Sequence, residues 1–309
     1  MDNTGGMFNT FKSNKNVSGT VDFLQSNSMV AKVSFLILVV ILFVSVLRAL
    51  TGIIDWLISP SPTPHLIDGM IDAKHLKVFP QDPSLKGSVP IMRSNNARFG
   101  LEFTWSVWVF INEAGLTNYH EDKFRNVFIK GNDKICDTKS AINDCIHNGM
   151  VTPNNGPGLY LMPYVPDQSP NDLMVVMNTF GGTNGSIPYT NYVQVNDVPL
   201  NKWVNVIIRC ENTFLDVFIN GTIVKREKLN GVPMQNYDDV YMSMNGGYDG
   251  NTSNLWYYDN AIGISEIQQI VSDGPNLTTL DSNMTESMPF YLSLRWFFAG
   301  QGDGYNPTA

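Results

Sequence analysis

The chain has 309 residues, a formal charge of −8 and 43% apolar residues. Sixteen Lys and Arg against 25 Asp and Glu follow residue 59, so that part alone carries −9. An acidic surface repels phosphate, which argues against nucleic acid as a partner, and about 250 residues suffice for one large domain with a full core.

Residues 1–28 are rich in Asn, Ser, Thr and Gly and too polar to bury a core alone; they read as an arm that is disordered or orders on a partner. Residues 29–58 read as one membrane-associated helix. Its centre, Val33 to Leu47, is uncharged and apolar except for Ser34 and Ser45, with Lys32 and Arg48 closing its ends. At about 1.5 Å per residue this run covers roughly 22 Å of a hydrocarbon core about 30 Å thick. Lys32 and Arg48 extend it by snorkelling to the headgroups, and apolar character resumes from Ala49 to Ile58, with Trp56 suited to the interfacial belt. The spanning part is about 32–52. A core helix this apolar would need protein on every side. A cleaved signal peptide would need a polar lead of about 30 residues and a small-x-small site. An interfacial helix would need one strongly charged face. Lys12, Lys15 and Lys32 precede the helix and Arg48 alone follows it closely, which favours a cytosolic or interior N-terminus.

Residues 59–64, SPSPTP, form an extended spacer. Residues 65–298 then read as one β-rich domain. HLIDGMIDAKHLKVF offers two short strands around an Asp68-Gly69 turn. In LEFTWSVWVFI, the strongest strand, Phe103, Trp105, Val107, Val109 and Ile111 share the core face. A strand at 126–130 follows. The loop from 131 to 157 is long enough to be a candidate interaction feature. It holds Cys136 and Cys145, whose spacing fits a local disulfide in an oxidising compartment or a pair of free thiols. Strands at 158–163, 172–179 and 192–195 come next. Residues 203–229 read as a three-stranded antiparallel meander, closed by Asn220-Gly221, the dipeptide a type I′ turn prefers; Cys210 falls on its core face. Strands at 240–244 and 255–258 are joined by the loop GGYDGNTS. Ser265 caps a short helix, SEIQQIV, with Ile267, Ile270 and Val271 on one face. PFYLSLRWFF, from 289 to 298, reads as a closing strand, and 299–309 is a Gly-rich tail.

FTWSVWVFI, KWVNVIIRCENTFLDVFINGTIV and LWYYDNAIGISEIQQIV, in that order, resemble the laminin-G-like, concanavalin A-like jelly-roll superfamily over most of residues 66–298. The resemblance implies an all-β, antiparallel β-sandwich behind one N-terminal transmembrane helix. That architecture, with the Asn-rich composition, EFTWSVWVFI and YLSLRWFF, also resembles membrane-anchored virion proteins of the large nucleocytoplasmic DNA viruses.

Glucanases of the superfamily place carboxylates at E-x-D-x-x-E on one strand, one as nucleophile and one as acid. Here Asp216 stands alone in FLDVFING and Glu102 alone in LEFTW, so no catalytic residue is assigned and the chain is expected not to be an enzyme. His120 and Glu121 lack the second His of a zinc protease motif, and the four His read as loop or surface residues. No cofactor is assigned. For calcium, Asp249, Asn251 and Ser253, with Asp259 nearby, offer oxygens of the right kind, against the plain reading of a polar hairpin. For glycan binding, Tyr248, Trp256 and Tyr258 are the candidate stacking rings, against their use as core. Six N-x-S/T sequons occur, at Asn16, Asn184, Asn220, Asn251, Asn276 and Asn283. The leading expectation is a membrane-anchored structural protein, a minor capsid or virion membrane protein tying a bilayer to other capsid or membrane proteins. The alternative is a lectin-like attachment protein.

Overall fold

The computed structural model describes residues 28–97, 100–117, 123–137, 147–163, 171–181 and 188–280. The closing strand expected at 289–298, the Gly-rich tail and the N-terminal arm up to residue 27 lie outside them. The chain divides into two compact units, one with the apolar helix and one comprising residues 60–288.

The helix α1 is continuous from Met29 to Ile58. Thirty residues at about 1.5 Å each give roughly 45 Å, the thickness of a bilayer with its headgroups. Within it the Ser45 hydroxyl donates to the Ile41 carbonyl at 2.8 Å and the Thr51 hydroxyl to the Arg48 carbonyl at 3.0 Å. These two polar side chains are therefore satisfied by the helix itself.

The second unit is an antiparallel β-sandwich. Its strands are β1 (His65–Asp72), β2 (Lys77–Phe79), β3 (Asn95–Ala97), β4 (Gly100–Ile111), β5 (Arg125–Gly131), β6 (Asn155–Leu161), β7 (Leu173–Phe180), β8 (Pro188–Val195), β9 (Trp203–Glu211), β10 (Phe214–Ile219), β11 (Thr222–Lys228), β12 (Val232–Pro233), β13 (Val240–Met242) and β14 (Gly250–Tyr258). A one-turn helix α2 (Glu113–Thr117) follows β4, and α3 (Ile264–Asp273) follows β14. The first sheet runs β1-β14-β4-β9-β10-β11, with β3 on β4. The second runs β12-β7-β6-β5-β13-β2, with β8 on β7.

The period-two pattern of β4 sets the core. Phe103, Trp105, Val107, Val109 and Ile111 are buried among Phe128, Leu159, Val175, Val206, Ile208 and Leu215. Trp105 lies 5.2 Å from Phe128 and 5.0 Å from Tyr257, ring to ring. The meander forms as expected: Asn220 and Gly221 both take positive φ, 49° and 77°, and β10 pairs with β9 and β11. Asn220 also accepts a hydrogen bond from the Asn205 amide at 2.9 Å, so its amide oxygen holds the turn.

Three local expectations are corrected. Asp68-Gly69 is not a turn: both residues lie inside β1, where the pairing with β14 shifts register between Ile67 and Met70. Gly69 has φ +138°, and a Cβ there would stand 2.6 Å from the Thr278 carbonyl oxygen, because residues 278–280 bond to Met70 on both sides. A glycine is needed there for both backbone angle and room. Gly69→Ala is expected to destabilise the sandwich by about 1–3 kcal/mol, read as a lower midpoint in chemical denaturation followed by tryptophan fluorescence. The second correction is that GNTS of the expected loop is the start of β14, paired with β4 from Gly250 onward. The third is that α3 begins at Ile264 behind Gly263, with no side-chain cap.

Parts of the outer faces are covered as well, which alternation alone did not foretell. Thr104 and Ser106 on β4 are fully buried. The Thr104 hydroxyl donates to the Asn260 carbonyl at 2.9 Å and accepts from the Ile262 amide at 3.1 Å. Ile207, Phe218, Ile262 and Ile267 form a second apolar layer beneath α3. On the other sheet, Ile129, Tyr160, Met174 and Val176 are covered by Met150 and Val151. The described ends of the long 131–157 loop thus act as a lid over a sheet face.

Candidate functional site

Among the described residues the largest uncovered apolar feature is α1. From Val33 to Leu57 every Leu, Ile, Val and Phe is at least 40% exposed, and Trp56 is 79% exposed. The helix is long and apolar enough to cross a membrane. Lys32 and Arg48 bracket the segment that begins at Val33 and ends at Leu47. Apolar side chains exposed on every side are what a lipid-facing helix presents and what water penalises.

The calcium candidates are not brought together. Asp249 and Asp259 flank opposite ends of β14, ten residues and so roughly 30 Å apart along a strand. The Asp249 carboxylate meets the Lys74 ammonium at 3.1 Å, and the Ser253 hydroxyl donates to the Asn276 carbonyl at 2.7 Å. Among the described residues no cluster of three His, Cys, Asp or Glu is placed to hold a metal ion.

The three candidate stacking rings divide. Tyr248 is fully buried, its hydroxyl bonded to the Asn251 carbonyl and the Thr252 hydroxyl, so it offers no face to a sugar. Trp256 and Tyr258 are half-buried on the outer face of the first sheet, centroids 6.2 Å apart. His65 stacks on Trp256 at 3.7 Å with an 11° angle between planes. His65 is thus no loose surface residue. Burial lowers its imidazole pKa against the opposing pull of Asp68 and Asn254.

Cys136 is buried and disulfide-bonded; Cys145 lies outside the described residues. Cys210 is a free thiol in the core, its pKa raised to about 12 by burial first and by Asp216 and Glu102 next. Asp216, which the glucanase comparison left alone on its strand, is 1% exposed. It is held by Arg209 at 2.9 Å and Arg226 at 3.5 Å from the flanking strands. That is a cross-strand ion network, with both guanidinium carriers directly opposite in register.

A feature that the sequence reading missed lies between the sheets. A cavity of about 170 Å³ is lined by Leu101, Phe103, Trp105 and Tyr257 from the first sheet and by Lys130 from the second, with Ser94 and Gln235 also on its wall. Ser94 donates to Gln235 at 2.5 Å. Lys130 is 5% exposed. Burial lowers its pKa to about 8, against the pull of Asp239 and Asp238. The signal was present in NVFIKG: Lys130 falls in phase with the core residue Phe128.

No family model matches the chain, and no curated protein matches it. Among solved structures, it is similar to the receptor binding domain of botulinum neurotoxin C/D mosaic serotype, at 10% identity and a TM-score of 0.38 over 57% of this chain and 37% of that one. The receptor binding domain of botulinum neurotoxin D gives 12% and 0.39, over 65% and 48%. The serotype D ligand binding domain in complex with N-acetylneuraminic acid gives 9% and 0.40, over 65% and 47%. The chain therefore spans between about a third and a half of those structures, and likeness at this level carries no functional inference.

Proposed function

We propose that the chain is a single-pass membrane protein whose β-sandwich is a non-enzymatic assembly module, and that it ties a virion membrane to a protein shell with its N-terminus on the interior side. The observation that carries the reading is α1: thirty helical residues with exposed apolar side chains on every side. Buried in lipid, that surface is favourable; left in water, it would drive aggregation. The SPSPTP spacer between α1 and the sandwich supports a packing role. The full-length chain is expected to stay in the pellet when vesicles are washed with alkaline carbonate, and recovery in the supernatant would sink the anchor. Mass spectrometry of purified particles is expected to find the chain at a fixed ratio to the shell protein; its absence from particles would remove the virion role and leave the anchor standing.

A second reading, a glycan-binding module, draws on the surface row of Trp256 and Tyr258. Asp68 and Asn276 lie hydrogen-bonded to each other at 3.0 Å, and Asn254 shares the outer face of β14 with the rings. Rings beside amides and a carboxylate are what sugar recognition uses. Saturable binding on a glycan array, lost in Trp256→Ala, would select this reading over the first.

A further inference from the structure

The cavity at Lys130 has the features of a built site rather than a packing fault. A void left by imperfect packing is lined by apolar atoms and stays dry. This one has on its wall a lysine that is almost wholly removed from water. An ammonium has three N–H donors. Among the described residues the Lys130 Nζ donates to one acceptor, the Asp238 carbonyl. The nearby carboxylates are engaged elsewhere: Asp238 accepts from the Asn154 side chain at 3.0 Å, and Asp239 accepts from the Gln81 amide at 2.7 Å. Neither forms an ion pair with Lys130. Among the described residues Lys130 is also the only charged side chain lining the cavity. Asp239 and Asp238 attract this cation without pairing with it, which leaves its remaining donors for a ligand acid.

The rest of the wall defines the other half of a ligand. Phe103, Trp105 and Tyr257 present aromatic surface to the same space. Its volume, about 170 Å³, is close to the roughly 150 Å³ known to accept a benzene ring in an engineered apolar cavity. We propose that the cavity binds a small ring-bearing monocarboxylate, its carboxylate on the Lys130 ammonium and its ring against Phe103, Trp105 and Tyr257. A charge-assisted hydrogen bond to the buried lysine supplies the selectivity for the acid over neutral molecules of the same shape.

The test uses the full chain in detergent micelles and three probes of one size: benzoate, benzamide and benzyl alcohol. Calorimetric titration at pH 7 is expected to show saturable one-to-one benzoate binding, with benzamide and benzyl alcohol weaker by at least about tenfold. Lys130→Met, which keeps the length and removes the charge, is expected to lose benzoate binding by a similar factor while still melting cooperatively. Benzoate is also expected to protect Lys130 of the unaltered chain from reductive methylation, read peptide by peptide in a mass spectrometer. Because Lys130 loses its proton near pH 8, benzoate affinity should fall as pH rises from 7 to 10. Equal binding of benzoate and benzyl alcohol would overturn the proposal. So would benzoate binding unchanged in Lys130→Met, or no benzoate binding at millimolar concentration.

Discussion

A chain carrying Ile41→Arg and Leu42→Arg together is expected to leave the membrane fraction, while its sandwich melts at the same temperature as before. Thirteen of the fifteen residues from Val33 to Leu47 are Leu, Ile, Val or Phe. Each contributes about 0.3–0.6 kcal/mol to insertion near the helix centre, so together they supply roughly 4–8 kcal/mol. An arginine at the centre costs about 2.5–3.5 kcal/mol, so two cost roughly 5–7. The double variant also forfeits the two apolar side chains it replaces. Ile41 and Leu42 are neighbours on a helix and so project about 100° apart, which prevents one local distortion of the bilayer from sheltering both guanidinium groups. Residues 60–288 form their own compact unit, which is why the melt should not move. The readout is partition between pellet and supernatant after a carbonate wash, with tryptophan fluorescence reporting the melt. Retention of the double variant in the pellet would mean that something other than α1 holds the chain to the membrane.

The parts of the fold that could be read from sequence were those set by contacts near in sequence. The helix follows from an uncharged run. The β4 core face follows from alternation. The meander follows from Asn220-Gly221, whose positive φ values are a local requirement. What could not be read was set by segments far apart. Asp68-Gly69 has the composition of a turn, yet Gly69 is there because residues 278–280 press against β1. Thr104 looks like a solvent-facing position, yet the chain after β14 returns to bond it, and Ser106 is buried against Asn205 of β9. GNTS reads as a loop because Gly and Asn are weak strand formers. It is a strand because β1 and β4 take it up on both sides. The candidate ligands of a calcium ion were adjacent in sequence, and the extension of β14 carried them apart. Conversely, Trp105 and Tyr257 are far apart in sequence and meet through the pairing of β4 with β14, and Lys130 joins them only when the two sheets close.

Lys130→Met is expected to make the sandwich more stable at neutral pH and less stable at strongly alkaline pH, a change of sign that few single substitutions give. Folding moves the Lys130 pKa from 10.5 to about 8, with burial as the leading cause. The folded chain therefore binds less proton than the unfolded one between those values, and stability rises with pH across that window. Below pH 8 the full penalty applies, about 3 kcal/mol at 1.36 kcal/mol per pKa unit. Above 10.5 both states carry a neutral amine and the penalty is gone. Methionine removes the penalty and fills nearly the same volume, so packing changes little. It also removes the donor to the Asp238 carbonyl, a loss of about 1 kcal/mol at any pH. The net expectation is a gain of about 2 kcal/mol at pH 7, crossing zero as the pH climbs towards 10, and a loss of about 1 kcal/mol at pH 11. Urea denaturation of both chains at pH 7, 9 and 11 measures it. The difference between the two chains cancels every other group that titrates in that range. A difference that stays constant from pH 7 to 11 would show that Lys130 carries its charge in contact with water, and the cavity would then lose the buried cation on which its proposed ligand depends.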